Sequence, residues 1–478
     1  MRIDRTDEPT LDPVEQERAL LRAREAGVEG RGRAGGGGWS FGSRLAIALS
    51  LALIVGYLLL WARVVQESGG PEGYIRRPVD FISTLTGALI IHEGHGPLLY
   101  DLQTQHDAQS RIFAPYRALG ERELLPYNHL PFEALAIAPL MDMPYPLVFA
   151  LWTLTAGLAI GLSLGVMDGA LPGSRQAGWV LSMAACSYLP LVRALMLGQN
   201  SPLVLLGLCT AFAALKWGRP GWAGAGLLLV ALKPQVLPLV LVLIVLLHEW
   251  RALAAFAGLL GGLSVAAMGV LGPRWPLDYA RLLVGVAGWS DANAIDPAIM
   301  HNWRGFATDL LGGFAPGLVI PLYVLLALGS VGLAGWAWLH HAVQAHEAQT
   351  LPGAPPTGTR LDLIWALVGI VALLMSPHLN PHDLTLLIFP AWIIGAHAAS
   401  ASASSEWGGL SRLWLALLWV GYALYPVTFV LSGVAGSPGL SVLPDVLLMA
   451  GAAVLLALQI GGYIGPGPTR PAQTGIRG

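Results

Sequence analysis

Residues Trp222–His248 read WAGAGLLLVALKPQVLPLVLVLIVLLH. As one straight α-helix rising about 1.5 Å per residue, this stretch would be about 40 Å long, against a bilayer hydrocarbon core of about 30 Å. It is long for one span and short for two full ones. Near its centre stand Lys233 and Pro234, and at that depth an ionised lysine is costly while proline removes a helix hydrogen bond. The stretch therefore predicts two short, broken helices meeting at Lys233, with the lysine lining a protein cavity rather than facing lipid.

Outward from this segment, apolar runs recur from Leu45 to Ile464 with the charged residues mostly between them. Of 478 residues 55% are hydrophobic and 12% charged, where soluble domains run near 25% charged. Barrel strands would alternate apolar and polar over about ten residues, and these runs do not. The expected fold class is all-α, a polytopic membrane protein with about twelve transmembrane segments. The spans are placed near Ser43–Val65, Pro146–Met167, Ala177–Leu197, Ser201–Lys216, the two halves of Trp222–His248, Leu253–Leu271, Leu318–His340, Leu361–Met375, Leu384–Ala399, Leu413–Val434 and Val442–Ile464. The first apolar run follows about forty polar residues and is long enough to span, so it reads as a first transmembrane helix rather than a cleaved signal.

Around this domain, residues 44–464, lie a tail over 1–43 expected to be disordered and a short Pro/Gly-rich tail over 465–478. The first loop, 66–143, is long, and loops of that length are usually functional. Within it, Phe81–Ile91 and Asp101–Leu119 are expected to be interfacial helices lying on the bilayer surface. A second polar loop covers 272–309. With twelve spans both termini share a side, and that side holds sixteen of the 27 lysines and arginines. The positive-inside rule makes it the cytoplasmic one.

The net charge of −2 gives no reason to expect nucleic acid, and Cys186 and Cys209 sit inside apolar runs, so neither a disulfide framework nor a thiolate metal site is implied. Under this topology unusual polar groups fall repeatedly at the outer ends of helices: Arg76-Arg77-Pro78-Val79-Asp80-Phe81, Tyr127-Asn128-His129-Leu130-Pro131, Gly198-Gln199-Asn200-Ser201, Lys233-Pro234-Gln235, His301-Asn302-Trp303-Arg304, and Ser376-Pro377-His378 continuing to Pro381-His382-Asp383. Such convergence is what one extracytoplasmic site on a helical bundle would look like. Plainer roles exist for each piece. Asp80 can partner Arg76 or Arg77, Gln199 and Asn200 can cap the next helix, Lys233 can snorkel, and His301 and Arg304 can anchor at the interface. His378, His382 and Asp383, and His92 and His95 beside Glu93, invite a metal reading, but no His-Glu-x-x-His pattern accompanies them and no metal is expected.

There is no Walker glycine loop, no Gly-x-Gly-x-x-Gly before a helix and no Gly-x-Ser-x-Gly elbow. What the outer cluster offers is one carboxylate near an apolar-aqueous boundary plus Lys, Arg and His donors suited to phosphate. That set matches transfer from a lipid-phosphate donor. Broken helices around a central lysine also suit a secondary transporter or lipid flippase, against which stand the absence of a repeat between the halves and the gathering of polar groups on one face.

Asp80-Phe81, Gly96-Pro97-Leu98-Leu99-Tyr100-Asp101, the Tyr127–Pro131 segment, Gly198-Gln199-Asn200-Ser201, Ala231-Leu232-Lys233-Pro234-Gln235 and Ser376-Pro377-His378, in that order and spacing, resemble glycosyltransferase family 87. The family includes polyprenol-phosphate-mannose-dependent mannosyltransferases. The resemblance implies the membrane-embedded GT-C fold, a bacterial plasma-membrane setting, a polyprenyl-phosphate sugar donor with mannose as the sugar, a lipid or glycan acceptor, no nucleic-acid partner, and a first-loop aspartate as base. By position that base is Asp80. Lys233 and Arg304, then His301, His378 and His382, are expected to bind the donor phosphate. Gln199, Asn200, Asn302, Tyr127 and His129 are expected to bind sugar or acceptor. No cofactor is expected. Family members often carry further aromatics after the Asp-Phe pair, where this chain has Ile82-Ser83-Thr84.

Overall fold

A computed structural model of the chain describes residues 41–67, 80–114, 119–120, 123–173, 175–286, 296–350, 358–400, 407–437 and 439–463. The expected tails lie outside these residues, except for the start of the first helix, and so do Arg76 to Val79. Among the described residues the chain is all-helical.

In chain order the helices are α1 (Phe41–Glu67), α2 (Phe81–His92), α3 (Leu102–Phe113), α4 (Phe132–Ile137), α5 (Tyr145–Ala170), α6 (Arg175–Cys186), α7 (Leu189–Leu197), α8 (Ser201–Lys216), α9 (Pro220–Val230), α10 (Leu237–Leu246), α11 (Trp250–Leu271), α12 (Trp275–Val286), α13 (Trp303–Leu311), α14 (Val319–Thr350), α15 (Gly358–Met375), α16 (Ile388–Ser400), α17 (Trp407–Ala435) and α18 (Gly439–Ile460). A 3-10 turn, Pro381–Leu387, leads into α16.

Among the described residues seven stretches of helix are long and apolar enough to cross a membrane: Ser43–Glu67, Tyr145–Ala170, Trp250–Leu271, Pro316–Gln344, Pro381–Ser400, Ala416–Ala435 and Gly439–Ile460. An eighth is added if α6 and α7, bent by 49° at Ser187-Tyr188, make one broken span. The protein is thus a polytopic membrane protein, and seven or eight of the twelve expected spans meet that test. The others are shorter. Helices α8, α9 and α10 are about 15 to 24 Å long at 1.5 Å per residue, and α8 is buried along most of its length. A helix enclosed by protein, as α8 is, need not match the hydrocarbon thickness, whereas α9 and α10 keep exposed apolar residues such as Trp222 and Val242.

The expected break at Lys233-Pro234 is present: α9 ends at Val230, α10 starts at Leu237, and turns fill the interval. Close approach of α8 to α9 depends on glycine. A Cβ on Gly207 would sit 2.6 Å from the Gly226 carbonyl oxygen, and one on Gly226 would sit 2.6 Å from the Ala211 nitrogen. Small residues at a helix–helix seam let backbones approach in this way. Leu154, Leu158 and Leu162 of α5, Leu325 and Leu328 of α14, and Val430 and Val434 of α17 are exposed. Exposed apolar faces of this extent fit a lipid-facing belt.

The first loop departs from the expected surface arrangement. Helix α2 buries Phe81, Ile82, Leu85, Ala88, Ile90 and Ile91 and also Ser83, Thr84 and Thr86. It is apolar around its circumference and so has no polar face to give to water. Its hydroxyls bond inward, Ser83 to the Pro126 carbonyl at 2.8 Å and Thr86 to the Ile82 carbonyl at 2.7 Å. Helix α3 ends at Phe113, short of the expected Leu119. It is capped by Asp101, whose carboxylate accepts from the Thr104 N–H at 2.8 Å. Its inward face carries Gln105 and Gln109, which accept from the backbone N–H of Tyr127 and Leu125 at 2.8 and 2.9 Å. Two buried amides therefore pin the segment that delivers Tyr127 to His129.

Candidate functional site

The site starts from Phe81. Its ring is fully buried and packs edge-on against Tyr145 and Phe149, with centroids 6.0 and 5.5 Å away. Asp80 precedes it at the N-cap of α2, but its side chain makes no capping bond. The carboxylate turns instead toward the α7–α8 turn, where Gln199 Nε2 donates to Asp80 Oδ2 at 2.6 Å. About a third of the Asp80 side chain remains exposed, so a substrate can reach it.

The α7–α8 turn is built by Gly198, which ends α7 at φ +65°. The following N–H, of Gln199, donates to the Ala194 carbonyl at 2.8 Å, as in a glycine-terminated helix. A Cβ on Gly198 would lie 2.7 Å from Phe81 Cβ, and the Gly198 carbonyl accepts from Trp152 Nε1 at 2.8 Å. The three residues after this glycine each hold a different carboxylate. Gln199 holds Asp80; Asn200 Nδ2 donates to Glu133 Oε1 at 2.6 Å; and Ser201 Oγ donates to Asp383 Oδ1 at 3.0 Å. Helix capping is therefore not what the Asn200 side chain does.

Asp383 is the most heavily engaged of the three. Lys233 Nζ lies 2.6 Å from Oδ1, and the Asn380 N–H donates to Oδ2 at 3.0 Å. Both side chains of the Lys233–Asp383 pair are buried. His382 sits between two carboxylates, Nδ1 at 3.6 Å from Asp80 Oδ2 and Nε2 at 3.6 Å from Asp383 Oδ1. One connected chain thus runs Lys233, Asp383, His382, Asp80, Gln199.

A branch from Asn200 reaches the first loop. His129 Nδ1 lies 2.9 Å from Glu133 Oε2, and Glu133 is buried. Tyr127 is fully buried against the His129 ring, donates to the Leu130 carbonyl and stacks with Tyr100. Burial first, and the nearby Glu133 carboxylate and neighbouring tyrosines second, push the Tyr100 and Tyr127 hydroxyls up, so both stay protonated.

On the other flank, residues 301–304 brace the 376–380 loop. Asn302 Nδ2 donates to the Ser376 carbonyl at 2.8 Å while its Oδ1 caps α13 by accepting from the Gly305 N–H at 2.9 Å. Arg304 Nη1 donates to the Pro377 carbonyl at 3.2 Å, and the His301 N–H to the Leu379 carbonyl at 3.1 Å. His301 Nδ1 is 2.9 Å from Asp445 Oδ2, and His301 is 1% exposed. The braced loop presents His378, whose Nδ1 is buried without a partner and whose Nε2 is 3.3 Å from Asn380 Nδ2. Burial pushes the His378 imidazole down to about 4, with Asp383 opposing and Lys233, His382 and Arg304 adding to the effect. It is neutral at neutral pH.

Every site residue named from sequence is thus placed: Asp80, Gln199, Asn200, Lys233, His382, Tyr127 and His129 around one network, and His301, Asn302, Arg304 and His378 around the adjoining loop. The other histidines once open to a metal reading point elsewhere, His92 toward Asp142 at 3.3 Å and His95 toward Glu93 at 3.7 Å. Glu133 and Asp445 were missed, and Ser201 and Asp383 were named only as parts of polar clusters. His129 and Glu133 stand four apart at a helix start, a pairing distance, and an acid inside the Val442–Ile464 apolar run is itself a flag.

A model of glycosyltransferase family 87 matches residues 127–377, just over half of the chain. No curated protein and no solved structure matches it. The matched stretch holds Glu133, Gln199 to Ser201, Lys233, Asn302 and Arg304; Asp80, His378, His382 and Asp383 lie outside it, and Asp80 and Asp383 are held in place by side chains within it.

Proposed function

The chain belongs to glycosyltransferase family 87, and on that premise we propose that it moves a sugar, with mannose the first to test, from a polyprenyl-phosphate donor to a hydroxyl of a lipid or glycan acceptor on the extracytoplasmic face of a bacterial plasma membrane. The observation that carries this reading is a partly exposed carboxylate, Asp80, held from one side by Gln199 and backed by His382. Among the described residues nothing hydrogen-bonds to Asp80 Oδ1. That oxygen is the one this reading assigns to accept the proton.

The reaction is a single displacement with inversion. The acceptor oxygen attacks the anomeric carbon as the bond from that carbon to the phosphate oxygen breaks, and the hydroxyl proton passes to Asp80 as general base. The polyprenyl phosphate departs as an anion that fixed donors in a dry cavity stabilise. Arg304, which braces the 376–380 loop, and the neutral His378 ring on that loop can donate to it, with His301 and His382 behind them. Lys233 acts with Asp383 as a unit, since the two side chains are in contact. Gln199, Asn200, Asn302, Tyr127 and His129 surround the position for sugar and acceptor. The lysine at the broken helix, which in isolation would suit a transporter, is locked to a buried acid, and this favours a fixed site over an alternating one.

The test is transfer of label by purified protein from radiolabelled polyprenyl-phosphate-mannose to a crude membrane-lipid pool with EDTA present, followed by the anomeric configuration of the product. Transfer with inversion supports the reading. Retention of configuration, or no transfer from any polyprenyl-phosphate sugar, would contradict it.

A further inference from the structure

Away from Asp80, at the far ends of α14, α15 and α18, lies a polar cluster that the proposed reaction does not use. The near ends of these helices frame the 376–380 loop: the Tyr323 hydroxyl of α14 donates to the Met375 carbonyl of α15 at 2.7 Å, and Asp445 of α18 meets His301. At about 1.5 Å per residue, His341 stands about 27 Å farther along α14 than Tyr323, and Arg360 about 22 Å before Met375 on α15. Both are thus close to one hydrocarbon thickness, about 30 Å, from that loop. At the same end Trp336 lies 5.6 Å from Tyr463 and 4.3 Å from His340 between ring centroids. Aromatics gathered at that depth mark a bilayer interface.

Arg360 is partly buried and makes one neutral contact, Nη1 donating to Gln344 Oε1. Gln344 Nε2 donates in turn to the Gly461 carbonyl, just past α18, at 3.3 Å. Among the described residues no carboxylate forms an ion pair with Arg360. The nearest acid in sequence, Asp362, is taken by Lys216 Nζ at 2.7 Å and His397 Nε2 at 2.9 Å. His341 is 8% exposed, and its Nδ1 is buried with no hydrogen-bond partner. Arg360 is close enough to act on that ring electrostatically. A guanidinium and a buried ring nitrogen near one another, with no acid between them, leave the charge unpaired and the nitrogen unsatisfied. An anion bonded to both completes them.

We infer that Arg360 and His341, with Gln344 orienting the guanidinium, bind the phosphate of an anionic phospholipid at the membrane face opposite Asp80. The donors suit phosphate, since a guanidinium gives planar, bidentate recognition and leaves a further oxygen for the imidazole N–H. Depth selects the source: one hydrocarbon thickness from the 376–380 loop is the headgroup layer, where phosphate esters are the anions at highest density. Net charge selects among lipids, because a cationic site with no acid of its own favours a headgroup whose phosphate is not already balanced by an ammonium. The bound phosphate would tie together α14, α15 and the end of α18. This binding does not depend on the proposed sugar transfer and is measurable without it.

The experiment is native mass spectrometry of the full-length protein in detergent, with phosphatidylglycerol, phosphatidylcholine or diacylglycerol of matched chains, or inorganic phosphate, added. The wild type is expected to retain phosphatidylglycerol over the other three. Arg360→Gln is expected to weaken that retention about tenfold, near the loss of one charge-assisted contact, and Arg360→Lys to recover part of it. Arg251, exposed at the start of α11, serves as a charge control. Arg251→Gln removes one positive charge outside the site and is expected to change nothing. Equal retention of phosphatidylglycerol by wild type and Arg360→Gln, or an equal loss in Arg251→Gln, would overturn the inference. So would a wild type that retains phosphatidylcholine or inorganic phosphate as well as phosphatidylglycerol. If Arg360→Gln does not fold, unchanged retention by His341→Leu, which keeps apolar bulk and removes the ring nitrogen, overturns it instead. A wild type that retains phosphatidylglycerol in this way yet transfers no sugar contradicts the proposed function and leaves this site standing.

Discussion

Lys233 and Asp383 lie 2.6 Å apart, both buried, with Ser201 donating to the same carboxylate oxygen. Removing one partner strands the other charge away from water, at a cost of about 3–5 kcal/mol, whereas replacing both with apolar residues is far milder. Lys233→Met is thus expected to lower thermal stability in detergent strongly, and Lys233→Met with Asp383→Leu to recover much of it. A double variant no more stable than the single one would mean that the pair does not act as a unit. His378 makes a pH prediction. Its folded pKa is lowered to about 4 from 6.5, so between those values the unfolded chain binds more protons than the folded one. Stability should then rise with pH across that window and fall as pH drops through it, by on the order of 3 kcal/mol in all. His378→Asn should flatten that part of a stability-versus-pH curve, and an unchanged slope would show that the ring does not titrate as described.

At the scale of elements, the turn from α7 to α8 organises the site, because three successive side chains after Gly198 hold three carboxylates. Gly198→Ala combines a left-handed φ, costing about 1–2 kcal/mol, with a Cβ 2.7 Å from Phe81. It should shift Gln199 off Asp80 and reduce sugar transfer by more than its loss of stability explains. Activity per folded molecule, measured against an unfolding curve, decides that, and equal losses would assign the glycine a structural role alone. The sequence shows this turn as a helix end followed by good capping residues, and it shows the break at Lys233 through an expensive charge beside a proline. It does not show that Asn200 turns away from its helix toward Glu133. A cap and a long-range partner require the same residue type, so only the fold separates them.

For the whole molecule, the helical membrane character was legible because long apolar runs have few alternative readings. The gathering of distant polar segments was legible because each lies at the end of such a run. What pattern could not convey was pairing. Lys233 reads as a free cation until Asp383, 150 positions later, is beside it. Helix α2 was expected at a surface because it lies in a polar loop, yet its own composition, apolar on all sides, required burial. Span count was the least legible feature, since helices enclosed by protein can be shorter than the bilayer is thick. The central claim is that this assembly exists to place Asp80 beside an acceptor hydroxyl. Its most direct test compares transfer of labelled mannose from polyprenyl phosphate by wild-type and Asp80→Asn protein of matched thermal stability. Loss of about 100-fold or more in kcat, the scale of general-base catalysis, is the predicted result; transfer by Asp80→Asn at the wild-type rate would contradict it.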